Sequence, residues 1–141
     1  MIYALLKDIF FILEDGDRTH FSHYDLTVPR FYALKHIGEH PGISLSQLST
    51  RMLSDKGNIS RIVRGMEADG LIVRQQDESD GRALCLYLTD EGEALREQTV
   101  QSHSAYNEAR LAPITMETDH LLETLQEVRA ALSTHLETER T

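Results

Sequence analysis

Several things are scarce in this 141-residue chain, and each scarcity excludes something. A single cysteine, Cys85, cannot form an internal disulfide, which agrees with a reducing compartment. No apolar run approaches the roughly 20 residues that a membrane-spanning helix needs. The first stretch, MIYALLKDIFFIL, is interrupted by Lys7 and Asp8 and lacks a small-residue cleavage site. Neither a signal peptide nor an anchor is expected there, and a cytoplasmic location follows. There is no phosphate-binding glycine loop, no H-E-x-x-H, no C-x-x-C and no G-x-S-x-G. An enzyme therefore has no support, and no cofactor or resident metal is expected. Internal repeats, low-complexity segments and an interdomain linker are missing as well.

Positive charge is the other shortage. With 14 basic and 23 acidic side chains the net charge is -9, which argues against a nucleic-acid partner if the chain is taken whole. The distribution argues otherwise. Residues 83–141 carry 11 acidic and 4 basic groups, so the excess acid is in the tail. Within 51–64, four basic residues (Arg51, Lys56, Arg61, Arg64) stand against one acidic residue, Asp55. That is enough for a local positive face. A few arginines on a helix are by themselves more often a solvated face, so this cluster needs a structural context.

Residues 44–89 supply it. SLSQLSTRML has apolar residues at Leu45, Leu48, Met52 and Leu53, a spacing that buries one face of a short helix. Ser54 and Asp55 then offer side-chain acceptors for free backbone amides, so a second helix can start within a few residues. That helix, over about 55–69, has Ile59, Ile62, Val63 and Met66 on one stripe at i, i+3, i+4 and i+7. Lys56, Asn58, Ser60, Arg61 and Arg64 lie on the opposite stripe. These are cations suited to phosphates, an amide able to pair with two edge atoms of adenine, and a hydroxyl suited to base or phosphate. Gly70 fits a left-handed helix end, and the β-branched run LIVRQ reads as a strand. After the turn-forming QQDESDGRA, ALCLYLT alternates so that Leu84, Leu86 and Leu88 share one face and Cys85 and Tyr87 the other. Two helices, a tight turn and a long-tipped hairpin make a helix-turn-helix with a wing. Asp80 precedes Arg82 by two residues, so one carboxylate can hold the guanidinium for a narrow minor groove.

This stretch resembles the winged helix-turn-helix of the MarR transcriptional regulators. The resemblance covers about residues 26–95, and its most specific part is Asp80-Gly81-Arg82 followed by Leu86-Tyr87-Leu88-Thr89 and Gly92, the family's D-x-R, L-x-L-T and G pattern. Ser60 departs from the threonine of many members but keeps the hydroxyl. The fold expected is mainly α with a small β-wing, a winged helix-turn-helix at 27–92 with helical dimerisation segments at 1–26 and 93–141, a single domain overall. The expected DNA-binding set is Ser54, Lys56, Gly57, Asn58, Ser60, Arg61, Arg64, Arg74, Asp80 and Arg82. The resemblance implies a repressor on a pseudo-palindromic double-stranded operator, released by a small aromatic or phenolic effector bound between the dimer region and the winged domain. Phe21, His23, Tyr24 and Phe31 are the effector candidates.

The rest of the chain fits around this centre. Residues 2–14 are apolar on more than one face, more than a monomer can bury, and 14–17 read as a loop. His20, Phe21, His23 and Tyr24 read as a loop packed on the core. Thr27 caps a helix with Pro29 in its first turn, running to about residue 39 with Phe31, Leu34 and Ile37 inward. His40-Pro41-Gly42 breaks it, and Ile43 suits a short third strand. Asp90 or Thr89 caps a helix over about 91–111 with Leu95, Thr99, Ala105, Tyr106 and Ala109 on one stripe, ended by Pro113. A last helix, about 117–137, carries Leu121, Leu125, Val128 and Leu132 as a seam with Leu122 and Leu136 beside it. Two apolar terminal helices suit a homodimer, which the resemblance also implies.

Two other readings compete with a DNA-binding regulator. One is a winged-helix protein-interaction module without DNA binding, which would have no use for the phosphate and base donors of 54–64. The other is a metal-responsive regulator using His20, His23 and His103, a ligand set without a carboxylate or thiolate partner nearby. Cys85 sits in a strand that supplies no cation or helix dipole to stabilise a thiolate, so it reads as a small side chain rather than a peroxide sensor.

Overall fold

The computed structural model describes every residue except Glu78, Asp80 and Arg82. Among the described residues, six helices and three short strands follow in the order α1 (Ile2–Ser22), α2 (Val28–Glu39), β1 (Ile43–Ser44), α3 (Leu45–Arg51), α4 (Lys56–Ala68), β2 (Ile72–Gln76), β3 (Leu84–Leu88), α5 (Asp90–Leu111) and α6 (Thr118–Arg140). Two compact units result, Met1–Tyr106 and Asn107–Thr141.

In the first unit, the starts of α2 and α4 are chemically marked. The Thr27 side chain accepts from Arg30 N at 3.3 Å with Pro29 in the first turn, and Asp55 Oδ1 accepts from Asn58 N at 2.8 Å. Gly42 and Gly70 take φ of 86° and 76°, a conformation that side-chain-bearing residues resist. The strands form an antiparallel sheet in the order β1-β3-β2, with Ile43 opposite Leu86 and Ile72 opposite Leu88. Its inner face meets Leu34 and Ile37 of α2, Leu48 of α3, and Ile59, Val63 and Met66 of α4 in one buried cluster. Phe21 and Phe31 stack at 4.2 Å between ring centroids in the same core. The fold is therefore mainly α with a small β-wing built on a helix-turn-helix. Cys85 is half-buried in β3, opposite Gln75 and Ser44.

The structure corrects three readings. Residues 14–17 do not form a loop, and residues through Ser22 do not either: both continue α1. Gly16 costs a helix about 1 kcal/mol relative to alanine, whereas burying a phenylalanine gains roughly 1.5–3 kcal/mol. Phe21 is fully buried and Asp17 is 5% exposed, so the turn after Gly16 is anchored on its inner side. On the outer side Arg18 pairs with Asp15 at 3.1 Å. Leu53 is the second correction. It lies past the end of α3 with φ 51° and is exposed, because the turn between α3 and α4 needs a left-handed residue there. Third, Ala105 and Ala109 are exposed, whereas Thr99 is buried and Leu95 packs against the core. Ten residues on from Leu95, Ala105 is rotated off the inward face.

α1 leaves Ile2, Leu5, Phe10 and Ile12 more than half exposed, with Lys7 Nζ 5.5 and 4.9 Å from the ring centroids of Phe10 and Phe11. In the second unit, no residue of α6 is buried, and Leu122, Leu125 and Leu132 are exposed. No helix among the described residues is long and apolar enough to cross a membrane.

Candidate nucleic-acid interface

The helix-turn-helix is assembled from local hydrogen bonds. Ser44 and Gln47 form a reciprocal cap on α3, with Gln47 N donating to Ser44 Oγ at 3.1 Å and Ser44 N to Gln47 Oε1 at 3.0 Å. Beyond Leu53 the chain turns back, Ser54 N donating to Ser49 O at 3.0 Å, and Asp55 starts α4. With Ile59, Val63 and Met66 buried, the helix can present only one stripe outward. On that stripe Lys56, Gly57, Arg61 and Arg64 are exposed, and Asn58 and Ser60 are half-buried.

Ion pairing leaves these cations uncompensated where four arginines elsewhere are neutralised. Arg18, Arg30, Arg74 and Arg96 each pair with a carboxylate. Lys56, Arg61 and Arg64 pair with none among the described residues. In a chain of net charge -9, three neighbouring cations without acidic partners are a local positive field on the face that the fold turns outward.

The other expected contacts are placed differently. Arg74 on β2 is gripped by Glu67 of α4, Nε to Oε2 at 2.7 Å and Nη2 to Oε1 at 3.0 Å. Hydrogen bonding to that guanidinium holds the Glu67 carboxyl below its usual pKa and raises that of Arg74. Asn58 uses both ends of its amide within the chain, Nδ2 donating to Ser54 Oγ at 2.8 Å and Oδ1 accepting from Arg61 Nη2 at 2.6 Å. At the wing tip, Ser79 N and Oγ both donate to Asp77 Oδ1, and Asp77 N donates to Ala83 O at 2.9 Å. Asp80 and Arg82 lie outside the described residues.

None of the four effector candidates lines the cavity behind the helix-turn-helix. Phe21 and Phe31 are stacked in the core, Tyr24 Oη donates to Ser102 Oγ at 2.6 Å, and His23 is exposed. That cavity, of about 460 Å³, has Val28, Pro29, Tyr32 and His36 of α2 on one side and Arg51, Ser54, Asn58 and Ile59 on the other. His36 Nδ1 is buried there without a hydrogen-bond partner, and burial lowers the imidazole pKa. The signal available in the sequence was the spacing of 29, 32 and 36, which aligns a proline, a tyrosine and a histidine on one helix face.

The three histidines of the metal-responsive reading are engaged separately. His20 Nε2 is 3.0 Å from Ser102 Oγ, His103 Nε2 is 2.9 Å from Asp17 Oδ1, and His23 is exposed. Among the described residues no group of three or more histidine, cysteine or acidic side chains could hold a metal ion.

Comparison with known proteins agrees with this geometry. The MarR family model matches residues 24–83. The HTH-type transcriptional regulator TtmR of Methylorubrum extorquens (strain PA1) is 30% identical over 79 residues, 56% of this chain, and the chain spans only 40% of that protein's length. Among solved structures, the transcriptional regulator SlyA superposes with a TM-score of 0.85 at 23% identity over 96% of each chain. Streptococcus pneumoniae FabT, solved in complex with DNA, superposes at 0.77 and 22% identity over 96% of this chain and 95% of its own. At those identities the structures share the fold.

Proposed function

We propose that the protein is a sequence-specific DNA-binding transcriptional regulator of the MarR type, a reading supported by the match of the MarR family model to the winged-helix region at residues 24–83. The observation that carries this reading is the outward stripe of α4, where Lys56, Arg61 and Arg64 stand exposed and without acidic partners. In this reading α4 enters the major groove. Those three side chains neutralise phosphates, Ser60 meets a base edge or phosphate, and Gly57 lets the backbone at the helix start approach the DNA. Ser54 in the turn before α4 and Asn58 on it complete the set, while Arg74 and the Asp80/Arg82 pair serve the wing. Titration by gel shift against the protein's own promoter tests this reading. A retarded complex that competes poorly with unrelated duplex is expected, and equal affinity for all duplexes, or none, contradicts it.

We further propose that the active species is a cytoplasmic homodimer on a pseudo-palindromic operator. The support is apolar surface left exposed on α1 and α6, more than suits a free monomer. Sedimentation is expected to give twice the 16.0 kDa chain mass, and a stable 16.0 kDa species contradicts this. Deleting residues 117–141 is expected to weaken operator binding without altering α4, since two half-sites are gripped only by two linked modules.

Repression released by a small aromatic or phenolic effector is the regulatory reading. We assign the effector to the cavity behind the helix-turn-helix rather than to Phe21 and Phe31, whose rings are committed to the core.

At the wing, Arg82 is proposed to enter the minor groove, oriented by Asp80 through a charge-assisted hydrogen bond. Arg82→Ala is then expected to cost most on operators with A·T-rich flanks, where a narrow groove concentrates negative potential. Asp80→Ala should reproduce part of that loss although it removes a negative charge near DNA. Tighter binding by Asp80→Ala at every salt concentration contradicts the positioning role.

A further inference from the structure

Asn58 and Arg61 stand at i and i+3 on one side of α4, and Ser54 lies in the turn just before the helix. Their side chains form a chain of hydrogen bonds that runs from the turn to the exposed guanidinium. The polarity of this chain is forced. Arginine has only donors, so it must take the amide oxygen, which turns the Asn58 NH₂ toward the Ser54 hydroxyl. The first two members of the relay are fixed independently of it. The Asn58 backbone N–H is held by Asp55 Oδ1, and the Ser54 backbone N–H by the carbonyl of Ser49, a residue 6% exposed. An arginine alone on a helix surface samples many rotamers, and ordering it on binding costs conformational entropy.

We propose that Asn58 is a positioning residue for Arg61: it holds the guanidinium in the pose in which it meets DNA, with Ser54 orienting the amide, and does not itself read a base edge. This rests on the DNA-binding reading of α4.

The test is a double-mutant cycle on an operator duplex, read by fluorescence anisotropy. Asn58→Ala is expected to weaken binding roughly three- to tenfold, and the same change in an Arg61→Ala background to alter it by less than about twofold. Ser54→Ala should reproduce part of the loss and Ser54→Thr, which keeps the hydroxyl, should restore it. Additive losses overturn the proposal, because they mean that Asn58 meets the DNA by itself. A second readout needs no DNA. The side-chain NH₂ resonances of Asn58 in the free protein should shift in both Arg61→Ala and Ser54→Ala. Indifference to both changes, in a protein that still binds its duplex, overturns the relay alone. Absence of duplex binding by the parent protein refutes the DNA reading and the role together.

Discussion

The triple substitution Lys56→Ala, Arg61→Ala, Arg64→Ala is expected to remove most DNA affinity and leave the fold intact. Each phosphate neutralised on duplex DNA contributes about -0.9 to the slope of log K against log salt, so losing three contacts should flatten that slope by roughly three units. Charge-assisted hydrogen bonds are individually strong, and losing three should cost on the order of a hundredfold or more in affinity near physiological salt. Stability should hardly change. The three side chains are exposed, pair with no carboxylate among the described residues, and yield to the best helix former, so an effect within about 0.5 kcal/mol is expected. Arg64→Ala alone should weaken all sequences alike and lower the slope by about one unit. Binding with an unaltered salt slope in the triple variant contradicts the assignment of these cations to phosphates.

Gly92→Ala is expected to be among the most damaging single changes in the chain, although it adds one methyl group. A Cβ at Gly92 would overlap the Leu71 carbonyl and crowd its Cα, and a backbone group cannot step aside as a side-chain tip does. The two segments are tied together at this point. Thr89 N donates to Leu71 O at 3.1 Å, Thr89 Oγ1 donates to Gly70 O at 2.6 Å, and Gly92 N donates to Thr89 Oγ1 at 3.0 Å. Relief therefore requires moving the start of α5 away from the end of α4, which breaks the hydrogen bonds that join them. Overpacking of a filled site costs about 1–3 kcal/mol, and with no rotamer to absorb it we expect the upper end, a fall in melting temperature of roughly 6–12 °C for a chain of this size. Chemical denaturation of Gly92→Ala beside Gly65→Ala makes the comparison internal. At Gly65 the added Cβ lies 2.6 Å from Arg30 Nη2, the far end of a flexible side chain, so its cost should be well below that of Gly92→Ala. Equal stabilities in the two variants contradict the explanation.

Gly92 also illustrates what was legible in the sequence. Its place after Leu86-Tyr87-Leu88-Thr89 fits the pattern that the sequence resembles, but the reason for a glycine there is a contact with Leu71, 21 positions away between α4 and β2. The buried stripe of α4, the alternation around Leu86, the caps at Thr27 and Asp55 and the helix end at Gly70 could be read because each depends on neighbours within a turn or two. The short strand at Ile43 followed from the same local signals. Residues 14–17 misled because their composition favours a turn, whereas the helix is kept by Phe21 and Asp17 packing against distant residues. Leu53 misled because its apolar side chain suits a helix face while its backbone conformation is dictated by the turn. At the candidate site, the positive stripe was visible in the sequence. The Glu67 grip on Arg74 and the cavity beside His36 were not, since each is made by elements that come together only in the folded chain.

The central claim, that α4 carries sequence-specific DNA recognition, is tested most directly by footprinting the purified protein on genomic DNA, with the Lys56/Arg61/Arg64 triple variant run in parallel. The parent protein is expected to protect discrete pseudo-palindromic sites whose half-sites lie about one helical turn, roughly 10 base pairs, apart, and the triple variant to leave them open. No protection above background by the parent, protection without sequence preference, or the same footprints from the triple variant would contradict it.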